Sequence, residues 1–181
     1  MLSKEIYCIA GDQSDDLTLR PYSEDDHQRT FDWLQYPEMR KMTGTTAAPT
    51  PEGHWRWFNA MRARTDVEML AIYYKNSHVG NFYFVNIDIV NNSAEIQMFI
   101  GPQEVRGKGI GKEVIRKLVD YAFSTLKLNR LYGWPFAFNE RSIRMLQANG
   151  FRVEGTMRQH RKVGDQYCDV LVVGLLASDL K

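Results

Sequence analysis

The sequence predicts a single mixed α/β domain built on one sheet, which is mostly antiparallel with a splayed parallel pair at its centre. Three observations predict this fold. Apolar runs and amphipathic patterns alternate in the order β-α-α-β-β-β-α-β-α-β-β, which gives about seven strands and about four flanking helices. Short polar turns join the three middle strands, as in an antiparallel meander. A long helical pattern then separates two strands, and a strand after such a crossover enters the sheet parallel to its predecessor.

The first half of the chain contains one strand and two helices. Residues 17–21 alternate apolar and polar side chains and stop at a proline, as a first strand does. Ser23 precedes three acidic residues and a helical apolar stripe, which is the pattern of a capped helix, and Pro37 ends this helix. Residues 38–42 can add one further turn before the next loop. Pro51 begins a second, strongly aromatic helix, because proline suits the first helical position and Thr50 suits the cap before it.

The second half supplies the remaining strands and helices. Asn139 can cap the last helix and Gly150 can end it. The predicted elements are meander strands at 69–74, 78–87 and 93–100, a long helix at 110–126, a strand at 130–136, a short helix at 139–150 and a closing hairpin of 151–155 with 167–173.

Length, composition and charge exclude several classes of protein. With 181 residues, of which 44% are hydrophobic, the chain is long enough for one globular core. Residues 1–16 are polar and predict a loose lead-in, so the domain should span 17–181. The net charge of +1 favours neither nucleic acid nor a membrane surface as a partner. We expect no signal peptide at the start of the chain, and no apolar stretch has the length of a membrane span.

The two cysteines predict a reducing environment. Cys8 and Cys168 lie far apart and lack metal-ligand spacing, so we expect no disulfide and a cytoplasmic location. His27, His78 and His160 show no ligand spacing either, so no metal site is expected.

A glycine-rich turn links the last meander strand to the long helix. Gly107, Gly109 and Gly111 occupy alternate positions, which removes the side chains that would keep a ligand from the backbone. Such a turn at a helix N-terminus suits a phosphate, so we predict a pyrophosphate cradle. The dinucleotide fingerprint fails because its sixth place is Lys112, and the phosphate-loop pattern fails because neither lysine of the turn precedes Ser or Thr. A plain turn with solvated lysines remains the alternative.

The strand after the long helix predicts a slot in the sheet. Pro135 has no backbone N–H, and Gly133 beside it weakens regular pairing further. The strand should therefore splay away from 93–100 near its end. A splayed pair leaves unpaired backbone groups on both walls, which can hold an extended ligand near the glycine turn.

At these residues the chain resembles the GNAT superfamily of N-acetyltransferases. Two motifs carry the resemblance, in the right order and within a matching order of elements. They read Arg106-x-x-Gly109-x-Gly111 and Asn139-x-x-Ser142-x-x-x-Leu146-x-x-x-Gly150-Phe151. The resemblance covers roughly residues 17–176 and is strongest with the branch of ribosomal-protein N-terminal, spermidine and nucleotide-amino-sugar acetyltransferases.

The resemblance implies acetyl-coenzyme A as donor and direct transfer of the acetyl group to a primary amine. Amides of the glycine turn would hold the pyrophosphate, and the backbone of the meander strand would pair with the pantetheine arm. The residues implied to bind the cofactor are Met98, Ile100, Arg106, Gly107, Lys108, Gly109, Ile110, Gly111, Lys112, Asn139 and Ser142.

The resemblance also implies a catalytic base. Glu95 lies on the strand that leads into the turn, where relatives often carry a glutamate that deprotonates the amine, commonly through water. If its side chain faces the slot, alternation places Gln97 and Phe99 on the same face and Met98 and Ile100 towards the core. A solvated strand glutamate is the alternative.

One departure from the family pattern affects the general acid. Leu146 stands where the family usually has a tyrosine. A thiol with a pKa of about 8.5 leaves tolerably without an acid. Tyr132 or Tyr167 could reach the sulfur from a neighbouring strand, although each is more simply explained by packing.

The acceptor is not determined by these patterns. Aromatic residues such as Trp57 and Phe58 are most simply core, but a face of this helix could also stack on a sugar or a base. We favour a small-molecule amine, either a nucleotide-linked amino sugar or a polyamine, over a protein N-terminus. A catalytically silent acyl-coenzyme-A-binding module is the other alternative, and we allow for a homodimer.

Overall fold

An eight-stranded mixed sheet carries the architecture in the computed structural model, which describes residues 9–10 and 16–180. The strands are β1 Ile9–Ala10, β2 Leu17–Pro21, β3 Glu68–Tyr74, β4 Ser77–Asp88, β5 Ser93–Ile100, β6 Arg130–Gly133, β7 Arg152–Val163 and β8 Gln166–Leu176. The helices are α1 Glu24–Leu34, α2 Pro37–Thr43, α3 Pro51–Ala63, α4 Ile110–Ser124 and α5 Glu140–Gln147. The spatial order of strands is β1-β2-β3-β4-β5-β6-β8-β7, and β5 with β6 is the parallel pair.

The predicted mixed sheet is confirmed, with two differences in the elements. Ile9–Ala10 pairs with β2 as an edge strand inside the expected lead-in, while 1–8 and 11–15 lie outside the described residues. The division of the chain at residue 17 stays a prediction. Pro37 does end α1, but it also begins the short helix α2, because proline suits the first helical position.

Helices cover both faces of the sheet, so the strands bury side chains on both sides. On β3, Leu70 and Ile72 belong to the core beneath α4. Ala71 between them packs with Phe58 of α3 on the opposite face. The apolar stripe of α4, which the sequence predicted, includes Val114, Ile115, Leu118 and Val119, all nearly inaccessible.

The predicted splay between β5 and β6 is confirmed. Parallel pairing covers Ser93 to Glu95 only, whereas β5 continues to Ile100 and β6 ends at Gly133. Beyond that point the Pro135 carbonyl accepts from Leu171 N at 2.9 Å, so the chain turns towards β8. The strand predicted over 130–136 is therefore shorter, because the backbone at Pro135 bonds to the other side.

Candidate functional site

A cavity of about 530 Å³ opens where β5 and β6 separate; we call it the slot cavity. Its walls come from both separated strands and from helices on the two faces of the sheet. They include Glu95, Gln97, Met98, Phe99, Gly133 and Pro135 of the sheet, His54 and Trp57 of α3, and Asn139, Ser142, Met145 and Leu146 around α5. The splay thus creates an enclosed site between the helix layers.

The glycine turn lies beside this cavity. A side chain on Gly111 would come within 2.9 Å of Met145 Sδ and 3.2 Å of Met98 Cε, two residues that line the cavity. Gly109 is the cap residue of α4 with φ +83°, a conformation that favours glycine. A Cβ on Gly109 would meet no atom within 4 Å, so a ligand can approach this backbone closely.

The start of α4 offers donors and positive charge to an anion. Its first backbone bond runs from Glu113 N to Gly109 O at 3.1 Å, so the amides of Ile110, Gly111 and Lys112 precede it. Such amides have no partner within the helix and stand at the positive end of its dipole. The turn therefore fits the pyrophosphate that the sequence analysis assigned to it.

Arg141 is a further basic residue at the turn, in addition to Lys108 and Lys112, and the sequence analysis missed it. Its Nη2 lies 3.3 Å from the position a Cβ would take on Gly107. Arg141 is exposed at the start of α5, while Gly107 precedes α4. Only the packing of α5 beside α4 brings the two together, so no local pattern could have revealed the contact.

The edge of β5 that faces the splay supports part of the predicted pantetheine contact. Gly101 N donates to Val79 O at 2.9 Å. Because the hydrogen bonds of an antiparallel pair alternate along the strand, the backbone groups of Phe99 and Gln97 also face β4. Met98 and Ile100 consequently direct their backbone groups towards the slot. The Ile100 carbonyl, however, already accepts from Arg106 Nε at 3.0 Å, which leaves Met98 with both groups available.

Arg106 has a structural role that its motif did not reveal. The guanidinium donates to the carbonyl of Gly101 at 2.5 Å and contacts Met39 Sδ at 2.6 Å. It also pairs with Glu38 Oε1 at 2.7 Å. The side chain thus ties the glycine turn to α2 and to the end of β5, and only its backbone remains for a cofactor.

Asn139 caps α5, as predicted, and lines the slot cavity. Its Oδ1 accepts from Ser142 N at 3.2 Å. Both residues belong to the cavity wall, so capping and a cofactor contact are compatible. The cap positions the segment at which α5 faces the splay.

Glu95 is buried in the cavity wall, which contradicts the alternative of a solvated strand glutamate. Only 7% of it is exposed. Its carboxylate accepts from Asn86 Nδ2 at 3.0 Å and from Gln97 Nε2 at 2.7 Å. Asn86 lies where the register of β4 with β5 shifts, and it has φ +52°. This irregularity aims the Asn86 amide at the carboxylate, and such bulges often lie beside functional sites.

The structure supplies no acid at the usual position. Leu146 is buried in the core cluster and also lines the slot cavity. Tyr132 packs against Trp134, with ring centroids 5.7 Å apart, and Tyr167 is 65% exposed. Neither tyrosine lines the slot cavity, so the structure gives neither one access to a ligand there.

Tyr83 is a further cavity residue that the sequence analysis missed. It stands opposite Gln97 on β4, so the two side chains share one face. Its hydroxyl is buried and makes no hydrogen bond of ordinary geometry among the described residues, and the nearby Asn81 side chain is the polar group that interacts with it. Burial raises the pKa of Tyr83 well above its ordinary value, so the hydroxyl is a donor throughout the physiological range. A buried donor that makes no hydrogen bond of ordinary geometry and lies beside a cavity is suited to a ligand.

The aromatic helix α3 contributes to core and cavity from different positions. Phe58 is completely buried, which confirms the core interpretation for this residue, whereas Trp57 is 36% exposed, so the core interpretation is wrong there. Trp57 lines the cavity, stacks on His54 at 5.3 Å and meets the Tyr83 ring edge-on at 6.0 Å. Burial, with a smaller effect from His27, lowers the pKa of His54 to about 4. This wall is therefore uncharged and aromatic near neutral pH.

We expect His54 to make the stability of the protein pH-dependent. Its pKa is about 4 when folded and about 6.5 when unfolded. The unfolded chain therefore binds more protons between these values, and stability is lost as the pH falls from 6.5 towards 4. Urea unfolding at pH 7 and pH 5 should show that His54→Phe removes about 2 kcal/mol of this loss. The exposed His160→Phe should keep the wild-type dependence, and an unchanged dependence in both variants would contradict the assignment.

Other classes of site find no support in the described part of the chain. No group of three metal-ligating side chains occurs within residues 16–180. None of the helices described there is long and apolar enough to cross a membrane. Cys168 is a free thiol, and Cys8 lies outside the described residues, so the expected absence of a disulfide stays a prediction.

Comparison with known proteins agrees with this geometry. The family described as "Acetyltransferase (GNAT) domain" matches residues 16–152. The "Uncharacterized N-acetyltransferase p20" of Bacillus licheniformis is 29% identical over 88% of this chain and 92% of its own length. Spermidine N(1)-acetyltransferase of Vibrio cholerae is 28% identical over 55% of this chain and 57% of its own length.

The comparison with solved structures supports the fold. The crystal structure of spermidine N-acetyltransferase from Vibrio cholerae, in complex with CoA and spermine, superposes with a TM-score of 0.84. It is 21% identical and covers 92% of this chain and 99% of that chain. This likeness confirms the predicted fold, and the family match favours an enzyme over a silent binding module. Because the family match spans most of the chain and includes both motifs, the chain belongs to the GNAT family of N-acetyltransferases, whose acetyl donor is acetyl-coenzyme A.

Proposed function

We propose that the protein transfers the acetyl group of acetyl-coenzyme A to the primary amine of a small molecule bound in the slot cavity. The observation that carries the proposal is the position of Glu95. A buried carboxylate, held by two amide donors, lies where the parallel strands begin to separate. Proton acceptor and cofactor slot thus share one cavity.

The roles of the residues follow from what amine acetylation requires. Bound acetyl-coenzyme A supplies the thioester carbonyl that the amine attacks. Glu95 accepts the proton that the amine loses as the new C–N bond forms and the C–S bond breaks. The backbone N–H of Met98 faces the slot and is the donor for developing negative charge, whereas that of Phe99 faces β4.

The leucine at the usual acid position is compatible with this reaction. Leu146 cannot donate a proton, but a thiol with a pKa of about 8.5 is a tolerable leaving group. We infer that proton delivery to the sulfur does not require a side chain of the cavity wall. The absence of an acid at this position should lower kcat and leave the affinity for the cofactor unchanged.

Tyr83 is the residue we assign to holding the acceptor. Its hydroxyl is a buried donor that makes no hydrogen bond of ordinary geometry to the described part of the protein, on the same face of the sheet as Glu95. We expect Tyr83→Phe to raise the KM for the acceptor about 3- to 10-fold, the worth of one hydrogen bond of about 1 kcal/mol. Steady-state kinetics with each substrate varied would test this. Tyr36→Phe, at an exposed tyrosine that lines no part of the acceptor site, is the control, and an unchanged acceptor KM in Tyr83→Phe would remove the assignment.

An acceptor panel tests the proposed function itself. Release of free thiol from acetyl-coenzyme A would be followed against amino sugars, phosphorylated amino sugars, polyamines and short peptides with free N-termini. Turnover of a small amine supports the proposal. Preferred turnover of peptides would replace it with the second candidate, a protein N-terminal acetyltransferase, which the resemblance to that branch favours.

Two expectations about the setting of the enzyme stay proposals. A homodimer is supported by β7, an edge strand whose side chains are mostly exposed. Light scattering of the purified protein would test it. The cytoplasmic location rests on the cysteine pattern alone.

A further inference from the structure

We propose that the acceptor amine carries a phosphate or diphosphate group, which binds in a second cavity next to the slot cavity. This inference rests on the proposed function, because it names the class of acceptor for the same site. Three observations support it: the adjoining cavity, an excess of basic side chains without ion-pair partners in the described part of the chain, and the exposed aromatic rings beside them.

The second cavity has a volume of about 710 Å³ and lies between α2 and the tip of the β7–β8 hairpin. It shares Gly44 and Thr45 with the slot cavity, so the two are adjacent. Gly44 ends α2 with φ +73°, and a Cβ there would lie 3.0 Å from Phe136 Cζ. The boundary between the cavities therefore contains a residue whose backbone packs closely against the Phe136 ring.

Basic side chains outnumber acidic ones in the walls of the two cavities. Arg40, Lys41 and Lys162 line the second cavity, and Arg161 lines the slot cavity beside it. Arg40 is occupied, because its Nη1 donates to the carbonyls of Leu34 at 3.0 Å and Gln35 at 2.6 Å. The other three cations take part in none of the ion pairs among residues 16–180 and are available to a ligand.

The acidic residues of the same walls are already engaged. Glu95 accepts from two amides, as described above, and faces the reaction end of the slot cavity. Asp169 in the second cavity accepts from Gln159 N at 2.8 Å. The wall of the second cavity carries three basic side chains against one carboxylate, so its net charge is positive. Such a wall would attract an anion and repel a polycation.

The acids that could attract a polyamine lie elsewhere. The first turn of α1 contains Glu24, Asp25 and Asp26, none of which lines either cavity. Asp26 is only 2% exposed and accepts from Tyr73 Oη at 2.7 Å. Glu24 pairs with Arg62 at 3.2 Å. The acceptor side of this chain thus lacks an acidic wall, and its charge favours a phosphorylated amine over a polyamine.

Exposed aromatic rings add a surface for a flat group. Phe138 and Tyr167 line the second cavity and are 38% and 65% exposed. The Phe138 ring is held by stacking on Phe136 at 5.0 Å, and Lys41 Nζ lies 5.4 Å from its centroid. A nucleoside base could stack there, while a sugar phosphate would use only the cations.

Direct binding in the presence of coenzyme A tests the proposal. Saturating coenzyme A fills the glycine turn, so any remaining diphosphate affinity reports on the second cavity. We expect uridine diphosphate and inorganic pyrophosphate to bind the coenzyme-A-loaded protein by calorimetry. The double variant R161E/K162E should weaken this binding at least about tenfold, because it reverses two charges. Arg158→Glu, at an exposed residue of the same strand that lines neither cavity, should bind as the wild type does.

The outcomes separate the sources of the phosphate and the two proposals. Tighter binding of uridine diphosphate than of pyrophosphate supports a nucleotide-linked amine, and equal binding supports a sugar phosphate. If neither uridine diphosphate nor pyrophosphate binds, or if R161E/K162E binds them as tightly as the wild type does, the inference is overturned. So does a higher kcat/KM for spermidine or glucosamine than for glucosamine 6-phosphate and uridine-diphosphate-linked amino sugars, although the proposed function then stands. Diphosphate binding without turnover of any amine would instead count against the proposed function.

Discussion

Replacing Glu95 with glutamine is expected to lower kcat about 10²- to 10⁴-fold near neutral pH, the usual contribution of a general base. The substitution keeps the size of the side chain but removes the only carboxylate among the described residues that line the slot cavity. Cofactor affinity should not change, because Glu95 lies at the start of the splay and the glycine turn lies beyond the end of β5. Steady-state kinetics and coenzyme A titration would measure both effects.

The pH dependence of this variant distinguishes a base from a packing residue. A primary amine with a pKa of about 10 loses its own proton at high pH. The gap between wild type and Glu95→Gln should therefore narrow as the pH approaches 10. Glu68→Gln is the matched control, since Glu68 is a partly buried strand glutamate that lines neither cavity. A gap that is constant with pH would mean that Glu95 supports the fold of the site without taking the proton.

Changing Gly109 to aspartate is expected to weaken coenzyme A binding about 30-fold, or roughly 2 kcal/mol, by repulsion of the pyrophosphate. Gly109→Asn is the matched control. Asn and Asp both tolerate a positive φ, and a Cβ at this position meets no protein atom within 4 Å. Both variants should therefore fold, and they differ only in charge. Calorimetric titration with coenzyme A would compare them.

The Gly109 pair also tests the cradle itself. If the turn is only a tight connection with solvated lysines, aspartate and asparagine should bind coenzyme A equally well. A common weakening of both would indicate that any side chain obstructs the ligand. A larger loss for aspartate alone would locate the pyrophosphate at this turn.

Several features of the fold could be predicted because their causes lie close together in the chain. Pro135 has no backbone N–H to donate, so its position in the sequence was enough to predict where the parallel pairing ends. The period of α4 and the cap at Asn139 likewise depend on residues within one or two turns of each other. Pro37 shows where local reasoning was incomplete, because the same residue ends one helix and begins another.

The candidate site was predictable only where a local motif carried it. The glycine turn could be proposed from its place after a predicted strand, and Glu95 from the resemblance to the family. Tyr83 could not, because only the structure shows that its hydroxyl is buried beside the cavity without a hydrogen bond of ordinary geometry to any described residue. Leu146 signalled the missing acid but gave no information on what replaces it.

The sequence by itself determined the order of the elements, the break in the parallel pair and the backbone cradle, since each depends on bonding rules between near neighbours. Only the tertiary structure decided which distant side chains meet. Arg106 reaches Glu38 across 68 positions, and Arg141 meets Gly107 where two helices pack together. The adjacency of the two cavities at Gly44 is of the same kind. These contacts depend on how the helices pack against the sheet, which the pattern of any single segment does not specify.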